Sequence, residues 1–208
     1  MLRFVSALSL LVALPIGALA QSAPLKTAEV ARNLYDLGVS QSDPLLIMSA
    51  AKLRKGLVLD AVARAPEGAE SPAGLAPHLD WEAMLKTAED LAVGNKALLG
   101  LIDDIRVERS KGLTSGPVFS IASIKSGGTD TYAPFPFTGE AYAEVYLEGA
   151  GGADLNLFVY DQKDRLVCSD SDASQIAYCG WTPSATAEFK IIVKNKGPKS
   201  ASYSLMTN

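Results

Sequence analysis

The pattern of the sequence switches near Gly112, and this switch constrains the fold more than any other feature. Residues 21–112 are rich in Ala and Leu and hold two aromatic residues, whereas residues 113–208 hold twelve aromatic residues and most of the β-branched ones. Ala and Leu favour helices, while aromatic and β-branched residues favour strands. We therefore predict two parts, a helical domain over 21–112 and a β-strand domain over 113–208.

The first part has the 3.6-residue spacing of amphipathic helices. Apolar residues from Leu25 to Leu37 predict a first helix that ends at Gly38. A second helix is expected to begin at Pro44, because proline is favoured at the first helical position, and to continue to about Ala65.

A proline-rich loop over 66–77 separates these helices from a second apolar stripe. Asp80 is placed to cap a third helix, and Gly94-Asn95 can divide the stripe into two helices. The first part is therefore predicted to be a bundle of three to four helices.

The second part has the two-residue alternation of strands. Residues 141–148, 155–160, 189–194 and 202–206 alternate between apolar and more polar positions, and turn-forming residues lie between them. We interpret 141–148 as one half-buried strand. Short strands without intervening helices predict an antiparallel β-sandwich or jelly-roll-like domain, so the expected fold class is α+β with two segregated parts.

A series of motifs accompanies these strands. They are DLNLFVYD at 154–161, LVCSDSD at 166–172, FKIIVKNKG at 189–197 and YSL at 203–205. Over about residues 117–208 the sequence resembles the bacterial pre-peptidase C-terminal domain, a small secreted β-sandwich related to collagen-binding modules of collagenases. Members of this family usually accompany secreted hydrolases, so the resemblance implies an accessory, binding or secretion-related module rather than a catalyst.

Residues 1–20 have the pattern of a secretory signal peptide. Arg3 precedes an apolar run from Phe4 to Leu14, and small residues lead up to a predicted cleavage after Ala20. The run is too short to span a bilayer comfortably, so we expect no membrane span in the mature chain. The expected location is the periplasm or the extracellular medium.

The two cysteines, Cys168 and Cys179, have ten residues between them. An oxidising compartment favours pairing, so we predict a structural disulfide across neighbouring strands or over one loop. A reactive thiol or a two-thiolate metal site is the alternative, although no histidine lies nearby to complete a ligand set.

Acidic residues cluster in the second part of the chain. Five aspartates fall within 19 residues: Asp154, Asp161, Asp164, Asp170 and Asp172. Calcium binds several oxygens at once, and the related collagen-binding modules are associated with calcium, so one interpretation is a calcium site. The alternative is that these aspartates form turns, because their side chains accept hydrogen bonds from nearby backbone N–H groups. No other cofactor is expected.

Aromatic residues provide a candidate binding surface. Tyr142 and Tyr146 share one face of a predicted strand, and Phe158 and Tyr160 share the corresponding face of another. Exposed rings there would stack on a sugar or hold an extended peptide. The competing interpretation, which we favour, is that the helices of the first part cover this face.

The composition excludes several functions. The net charge is −4 and no Lys/Arg cluster is present, which argues against nucleic acid as a partner. His78 is the one histidine, and no serine lies in a Gly-x-Ser-x-Gly motif, so a serine hydrolase of that type is not expected. His78 is expected to pack or to face water just before a helix.

The sequence therefore predicts a non-enzymatic exported binding protein of the bacterial periplasm or cell envelope. The expected partner is a protein, a peptide or an envelope polysaccharide. The main alternative is an accessory or inhibitor-like partner of a secreted peptidase, which only the family resemblance suggests. A hydrolase with an acidic site is a further alternative, because paired carboxylates can perform acid–base chemistry.

Overall fold

The computed structural model describes residues 23–67, 78–108, 116–150 and 152–208. The predicted signal peptide and most of the predicted 66–77 loop lie outside the described residues. Four helices lie within these residues: α1 (Pro24–Gln41), α2 (Pro44–Lys55), α3 (Trp81–Leu91) and α4 (Lys96–Val107). The predicted number of helices is confirmed.

Side chains cap three of these helices at their N-termini. Asp43 accepts hydrogen bonds from the first backbone N–H groups of α2, Asp80 accepts one from Ala83 N, and Asn95 accepts one from Leu98 N. Such caps satisfy N–H groups that have no partner within the helix. The predicted cap at Asp80 and the division of the last stripe at Gly94-Asn95 are both confirmed.

The first helix is longer than the sequence predicts. It continues through Gly38 to Gln41 and ends where Ser42 adopts a left-handed conformation with a φ of 53°. Gly38 is needed for close packing instead, because a Cβ at that position would lie 2.7 Å from Ile47 Cγ1. The glycine thus allows α1 and α2 to approach each other.

The second helix is shorter than predicted. It ends at Lys55, and Gly56 follows as its C-terminal cap, so the predicted extension to Ala65 is wrong. The chain then forms a two-residue strand, β1 (Asp60–Ala61), which pairs in parallel with β2. The pairing satisfies backbone groups that a longer helix would have satisfied internally.

The other eight strands of the described residues belong to the second part of the chain. They are β2 (Val118–Ile124), β3 (Thr129–Phe137), β4 (Ala143–Gly149), β5 (Leu155–Tyr160), β6 (Leu166–Asp170), β7 (Ile176–Trp181), β8 (Ala187–Asn195) and β9 (Ala201–Thr207). A five-stranded sheet has the order β1-β2-β9-β4-β7, and a four-stranded sheet has the order β3-β8-β5-β6. The predicted α+β class and β-sandwich are confirmed.

A continuous apolar core lies between the two sheets. Inward-facing residues of both sheets contribute to it, among them Val145, Leu147, Leu157, Ile191 and Leu205. All five of these side chains are completely buried, which is the main source of stability in a sandwich. The strand alternation of the sequence therefore identifies the inward-facing side of these strands.

The two cysteines form the predicted disulfide. Cys168 lies on β6 and Cys179 lies on β7, which are the edge strands of the two different sheets. The bond therefore ties the sheets together along one open side of the sandwich. Trp181 packs nearby in T-shaped contacts with Phe137 and Phe189, at centroid distances of 4.9 and 5.2 Å.

The helical layer covers the outer face of the five-stranded sheet. Leu25 and Ala28 of α1 form a buried cluster with Tyr146 of β4 and Met206 of β9. Every residue of β4 is buried, so this strand is buried on both faces and not half-buried as its alternation predicts. The polar alternate positions of β4 face the helices instead of water.

We expect the disulfide to contribute substantially to stability. The Cys168→Ala/Cys179→Ala double variant should unfold at a lower urea concentration, with a free energy of unfolding lower by about 3 kcal/mol, because a short closed loop restricts the unfolded chain. A reducing agent should lower the stability of the wild type to that of the variant and leave the variant unchanged. Equal urea midpoints for the two oxidised proteins would contradict this expectation.

Candidate ligand-binding site

Two glutamates on the outer face of β4 attach the helical layer to the sheet. The first, Glu144, accepts hydrogen bonds from the backbone N–H groups of Leu25 at 3.3 Å and Lys26 at 3.0 Å. These N–H groups belong to the first turn of α1, where a negative charge is favourable. Tyr178 also donates its hydroxyl to Glu144 at 2.9 Å. Burial raises the pKa of Glu144 above its ordinary value despite these hydrogen bonds.

The second glutamate, Glu148, binds two arginines from different helices. Its Oε1 lies 3.1 Å from Arg32 Nη1 of α1, and its Oε2 lies 2.7 Å from Arg54 Nη2 of α2. Burial alone would raise the pKa of Glu148, but the two guanidinium groups outweigh burial and lower it. Arg32 also pairs with Asp36 at 2.9 Å. We call Arg32, Glu148 and Arg54 the charge triad.

A cavity of about 490 Å³ adjoins the charge triad where the helices meet the sheet. We call it the junction cavity, and its lining residues are Arg54, Leu57, Leu59, His78, Asp80, Trp81, Phe119 and Ile121. The lining comes from the end of α2 and the segment after it, from the start of α3 and from the outward-facing side of β2. Most of the wall is apolar.

Arg54 is the most unusual group in this wall. The residue is 2% exposed, and its Nη2 donates to Glu148 and, at 3.4 Å, to the Ala28 carbonyl oxygen. Its Nε and Nη1 atoms are buried, and neither has a hydrogen-bond partner among the residues that the structure describes. Buried N–H groups without an acceptor are energetically costly, and the cost is larger for a charged group.

His78 forms part of the cavity wall rather than lying free in solvent. Its ring stacks on Phe119 at a centroid distance of 4.6 Å, and its Nδ1 lies 3.3 Å from Ser204 Oγ. Burial lowers the pKa of His78, so the ring is neutral near pH 7. The neighbouring Asp80 uses its carboxylate to cap α3. His78 therefore packs against Phe119 and Ser204, which is one of the two alternatives that the sequence analysis left open.

The four predicted surface aromatics lie on two sheets and do not form one surface. Tyr146 lies on β4 of the five-stranded sheet, and Tyr142 immediately precedes that strand. The Tyr146 side chain is completely buried beneath α1. Phe158 and Tyr160 lie on β5 of the other sheet and are half-buried. Lys194 Nζ lies 5.0 Å from the centre of the Phe158 ring. Binding of a partner by Phe158 and Tyr160 stays a prediction.

The five predicted calcium ligands do not come together. Asp161 pairs with Arg165, which lowers the pKa of Asp161 to about 2. The other partners also differ: Asp164 pairs with Lys190, Asp170 accepts from Tyr178 N, and Asp154 accepts from Asn156. Asp172 is exposed.

Within residues 23–67, 78–108, 116–150 and 152–208, no three His, Cys, Asp or Glu side chains are grouped as metal ligands would be. Calcium binding stays a prediction. In the same part of the chain, no helix combines the length and the apolar character that crossing a membrane requires.

Sequence reasoning missed the charge triad and the junction cavity. The available signal was the presence of two glutamates, Glu144 and Glu148, on the polar side of a strand that also carries Tyr146. Arg32 and Arg54 each follow an apolar residue of the same helix face by four positions, Ala28 and Ala50 respectively, which was a second signal. Both arginines are buried, so their aliphatic stems and charged ends lie within the interface.

Comparisons with known proteins show only distant similarity. No protein-family model matches the chain, and no curated protein matches it. A solved structure of the pre-peptidase C-terminal domain of collagenase from Bacillus anthracis is 12% identical, with a TM-score of 0.38, and the match covers 43% of this chain and 87% of that one. This is a domain of the kind that the sequence resembles.

Two further solved structures are similar to the chain. One is a periplasmic inhibitor of g-type lysozyme from Aeromonas hydrophila, 13% identical with a TM-score of 0.34, covering 49% of this chain and 91% of that one. The other is a mitogen from Yersinia pseudotuberculosis, 13% identical with a TM-score of 0.31, covering 45% of this chain and 85% of that one.

We expect the two glutamates of β4 to respond to pH in opposite directions. Glu148→Gln should lower the free energy of unfolding by about 3–5 kcal/mol at pH 7, because it removes the charge between two buried arginines. The pKa of Glu148 is lowered by folding, so its contribution is complete above pH 4.5 and is lost as the pH falls below that value. The difference in free energy of unfolding between the wild type and Glu148→Gln should therefore become smaller in acid.

Glu144→Gln is the matched control on the same strand. The pKa of Glu144 is raised by folding, so its contribution to stability is complete below pH 4.5 and is lost as the pH rises through the folded-state pKa. Urea unfolding of the three proteins between pH 3.5 and 7 measures both trends. If the difference in free energy of unfolding between wild type and Glu148→Gln became larger in acid, the proposed role of the charge triad would be contradicted.

The calcium prediction has a direct test in thermal unfolding. If the aspartates form a site, calcium at about 100 times its Kd should stabilise the protein by about 2.7 kcal/mol and raise the Tm by several degrees. A chelator should reverse the shift, and magnesium at the same concentration is the control. Coincident melting curves with calcium and with the chelator would contradict the prediction.

Proposed function

We propose that the chain is a non-enzymatic exported binding protein and that its ligand occupies the junction cavity. The observation that carries this proposal is a cavity of about 490 Å³ with apolar walls and one buried, incompletely bonded arginine. Ligand sites in proteins typically have volumes of about 300–1,000 Å³, apolar walls and a few polar groups that orient the ligand. The junction cavity has these features.

The positions of the titratable groups support binding over catalysis. Glu144 binds the start of α1 and Glu148 binds arginines of both α1 and α2, so neither carboxylate is available as the acid or base that a hydrolase with an acidic site would need. His78 is neutral and is held between Phe119 and Ser204. The groups around the cavity thus serve packing and recognition.

The proposed location is the periplasm or the cell envelope. The disulfide between Cys168 and Cys179 supports export, because such bonds persist in oxidising compartments. The signal-like sequence of residues 1–20 also supports it. A cavity of this size accommodates a small molecule, or one side chain or terminus of a larger partner such as a peptide or an envelope protein.

Filling the cavity with a larger side chain tests the proposal. Ile121→Trp places an indole in the cavity wall, so it should weaken binding of a neutral apolar dye, Nile red, by at least about tenfold. The matched control is Ile192→Trp, because Ile192 is also a half-buried strand residue but lies on the other sheet, paired with Phe158. Fluorescence titration measures the affinity of all three proteins.

The control protein should bind the dye as the wild type does. Similar dye affinity in Ile121→Trp and wild type would contradict the proposal, as would the absence of dye binding to the wild type. Far-UV circular dichroism and urea unfolding establish that both variants are folded under the conditions of the titration.

A further inference from the structure

We infer that the outer face of the four-stranded sheet binds an uncharged polysaccharide of β-linked pyranose units, with Phe158 and Tyr160 stacking on two neighbouring sugar rings. We call this surface the ring face. Its outward-facing residues on the two central strands are Asn156, Phe158, Tyr160, Lys190, Ile192 and Lys194. The ring face is separate from the junction cavity, which lies against the other sheet.

The alternation of β5 directs both aromatic rings outward. The residues next to them on the strand, Leu157 and Val159, point into the core between the sheets. Phe158 and Tyr160 therefore project from the opposite face, where Ile192 lies beside Phe158 on the neighbouring strand. Residues two positions apart on a strand are separated by about 6.5 Å, so the two rings can contact neighbouring sugar units of one chain.

No helix of the described residues covers the ring face. Helix α1 packs on β4 and β7, which both belong to the five-stranded sheet. Within residues 23–67, 78–108, 116–150 and 152–208, no helix has comparable contacts with a strand of the four-stranded sheet. A solvated sheet face is ordinarily polar, whereas Phe158, Tyr160 and Ile192 bring half-buried apolar side chains to this one. Apolar groups with a polar rim on an uncovered face are typical of an interaction site.

A lysine lies over each of the two rings. Lys194 Nζ is 5.0 Å from the centre of the Phe158 ring, and Lys190 Nζ is 5.6 Å from the centre of the Tyr160 ring. Long lysine stems cover apolar surface while their charged ends stay in water. A ligand therefore gains ring surface when these flexible side chains move aside. The displaced ammonium groups then lie beside the ligand, where they can donate hydrogen bonds to hydroxyl groups.

The charges of the ring face and its rim favour an uncharged ligand. Lys190 and Lys194 are positive, but Lys190 pairs with Asp164 and also lies near Glu67. Glu188 adds a further negative charge on the outward side of β8. No excess of positive charge thus attracts an anion, and both donors and acceptors are present. Sugar hydroxyl groups donate and accept hydrogen bonds, so they match this mixture.

The position of the rings favours a sugar over an extended peptide. Strand β5 lies between β8 and β6, so its backbone groups are paired and cannot bind a peptide as an added strand. At the edge of the sheet, β6 has a register irregularity against β5 and is tied to β7 by the disulfide, which opposes strand addition. A pyranose unit needs no backbone partner, because its C–H groups contact the electron-rich face of an aromatic ring.

Calorimetric titration with two matched hexasaccharides tests the inference. Cellohexaose and maltohexaose contain the same glucose units and differ only in the configuration of the linkage, which makes the first an extended flat chain and the second a curved one. The wild type should bind cellohexaose at least about tenfold more tightly, because only the flat chain contacts both rings at once. An acetylated and amidated hexapeptide of alternating threonine and valine is the control for a peptide ligand.

Ring-removing and ring-preserving variants assign the effect to the ring face. Phe158→Leu and Tyr160→Leu each remove one ring but keep an apolar side chain on the strand, so each should weaken cellohexaose binding by at least about tenfold. Phe158→Tyr and Tyr160→Phe keep the rings and should bind within about threefold of the wild type. Ile121→Trp, which changes the junction cavity, should bind cellohexaose as the wild type does. Urea unfolding verifies that the variants are folded.

The possible results decide the inference without involving the junction cavity. The absence of cellohexaose binding to the wild type would overturn it, as would equal affinity for the two hexasaccharides. Unchanged binding in both leucine variants, or loss of binding in Ile121→Trp, would locate the sugar elsewhere and also overturn it. Tighter binding of the hexapeptide than of cellohexaose would replace the sugar by a peptide ligand. If one leucine variant does not fold, the other leucine variant and the comparison of the hexasaccharides still decide.

Discussion

The structure depends on one buried carboxylate, that of Glu148, which two helices share. A buried charge is tolerated only when partners compensate it, and here Arg32 and Arg54 approach its two oxygens from different helices. The requirement fixes α1 and α2 on the same strand, because moving either helix would leave a buried charge without its partner. Apolar contacts hold the helical layer on the five-stranded sheet. The ion pairs of Glu148 determine the positions that α1 and α2 take on that sheet.

This attachment makes the two parts of the chain structurally dependent on each other. The outer face of the five-stranded sheet would expose Tyr146 and Met206 if α1 were absent. Strand β1, which belongs to the helical part of the sequence, pairs with β2 of the sandwich. The junction cavity is a consequence of the same arrangement, since its wall combines the end of α2 with β2 and the start of α3.

Local features of the sequence predicted much of the fold. The cap at Asp80, the division of the stripe at Gly94-Asn95, the strand alternation and the disulfide depend on neighbouring residues or on a single pair, so they can be recognised without the tertiary structure. The burial of β4 could not be recognised in this way. Glutamate at alternating strand positions is also typical of a solvated face, and the choice between solvent and the helical cover that we favoured depends on residues far away in the sequence.

The candidate site was missed for the same reason. Arg54 and Phe119 lie 65 positions apart in the sequence, and each is an ordinary residue of its own element. Their proximity, and the incomplete bonding of Arg54, arise only after the helical layer packs on the sheet. The four aromatics, by contrast, were grouped by their strand positions, which do not reveal that β4 and β5 belong to different sheets.

The most direct measurement of the central claim is the ionisation of Glu148 itself. Titration of the side-chain carboxyl carbons by ¹³C nuclear magnetic resonance reports the pKa of each buried glutamate in the folded protein. The charge triad predicts that Glu148 stays ionised below pH 4.5, while Glu144 takes up its proton above that value. Protonation of Glu148 at or above pH 4.5 in the folded protein would contradict the account, because a carboxylate held between two guanidinium groups would resist it.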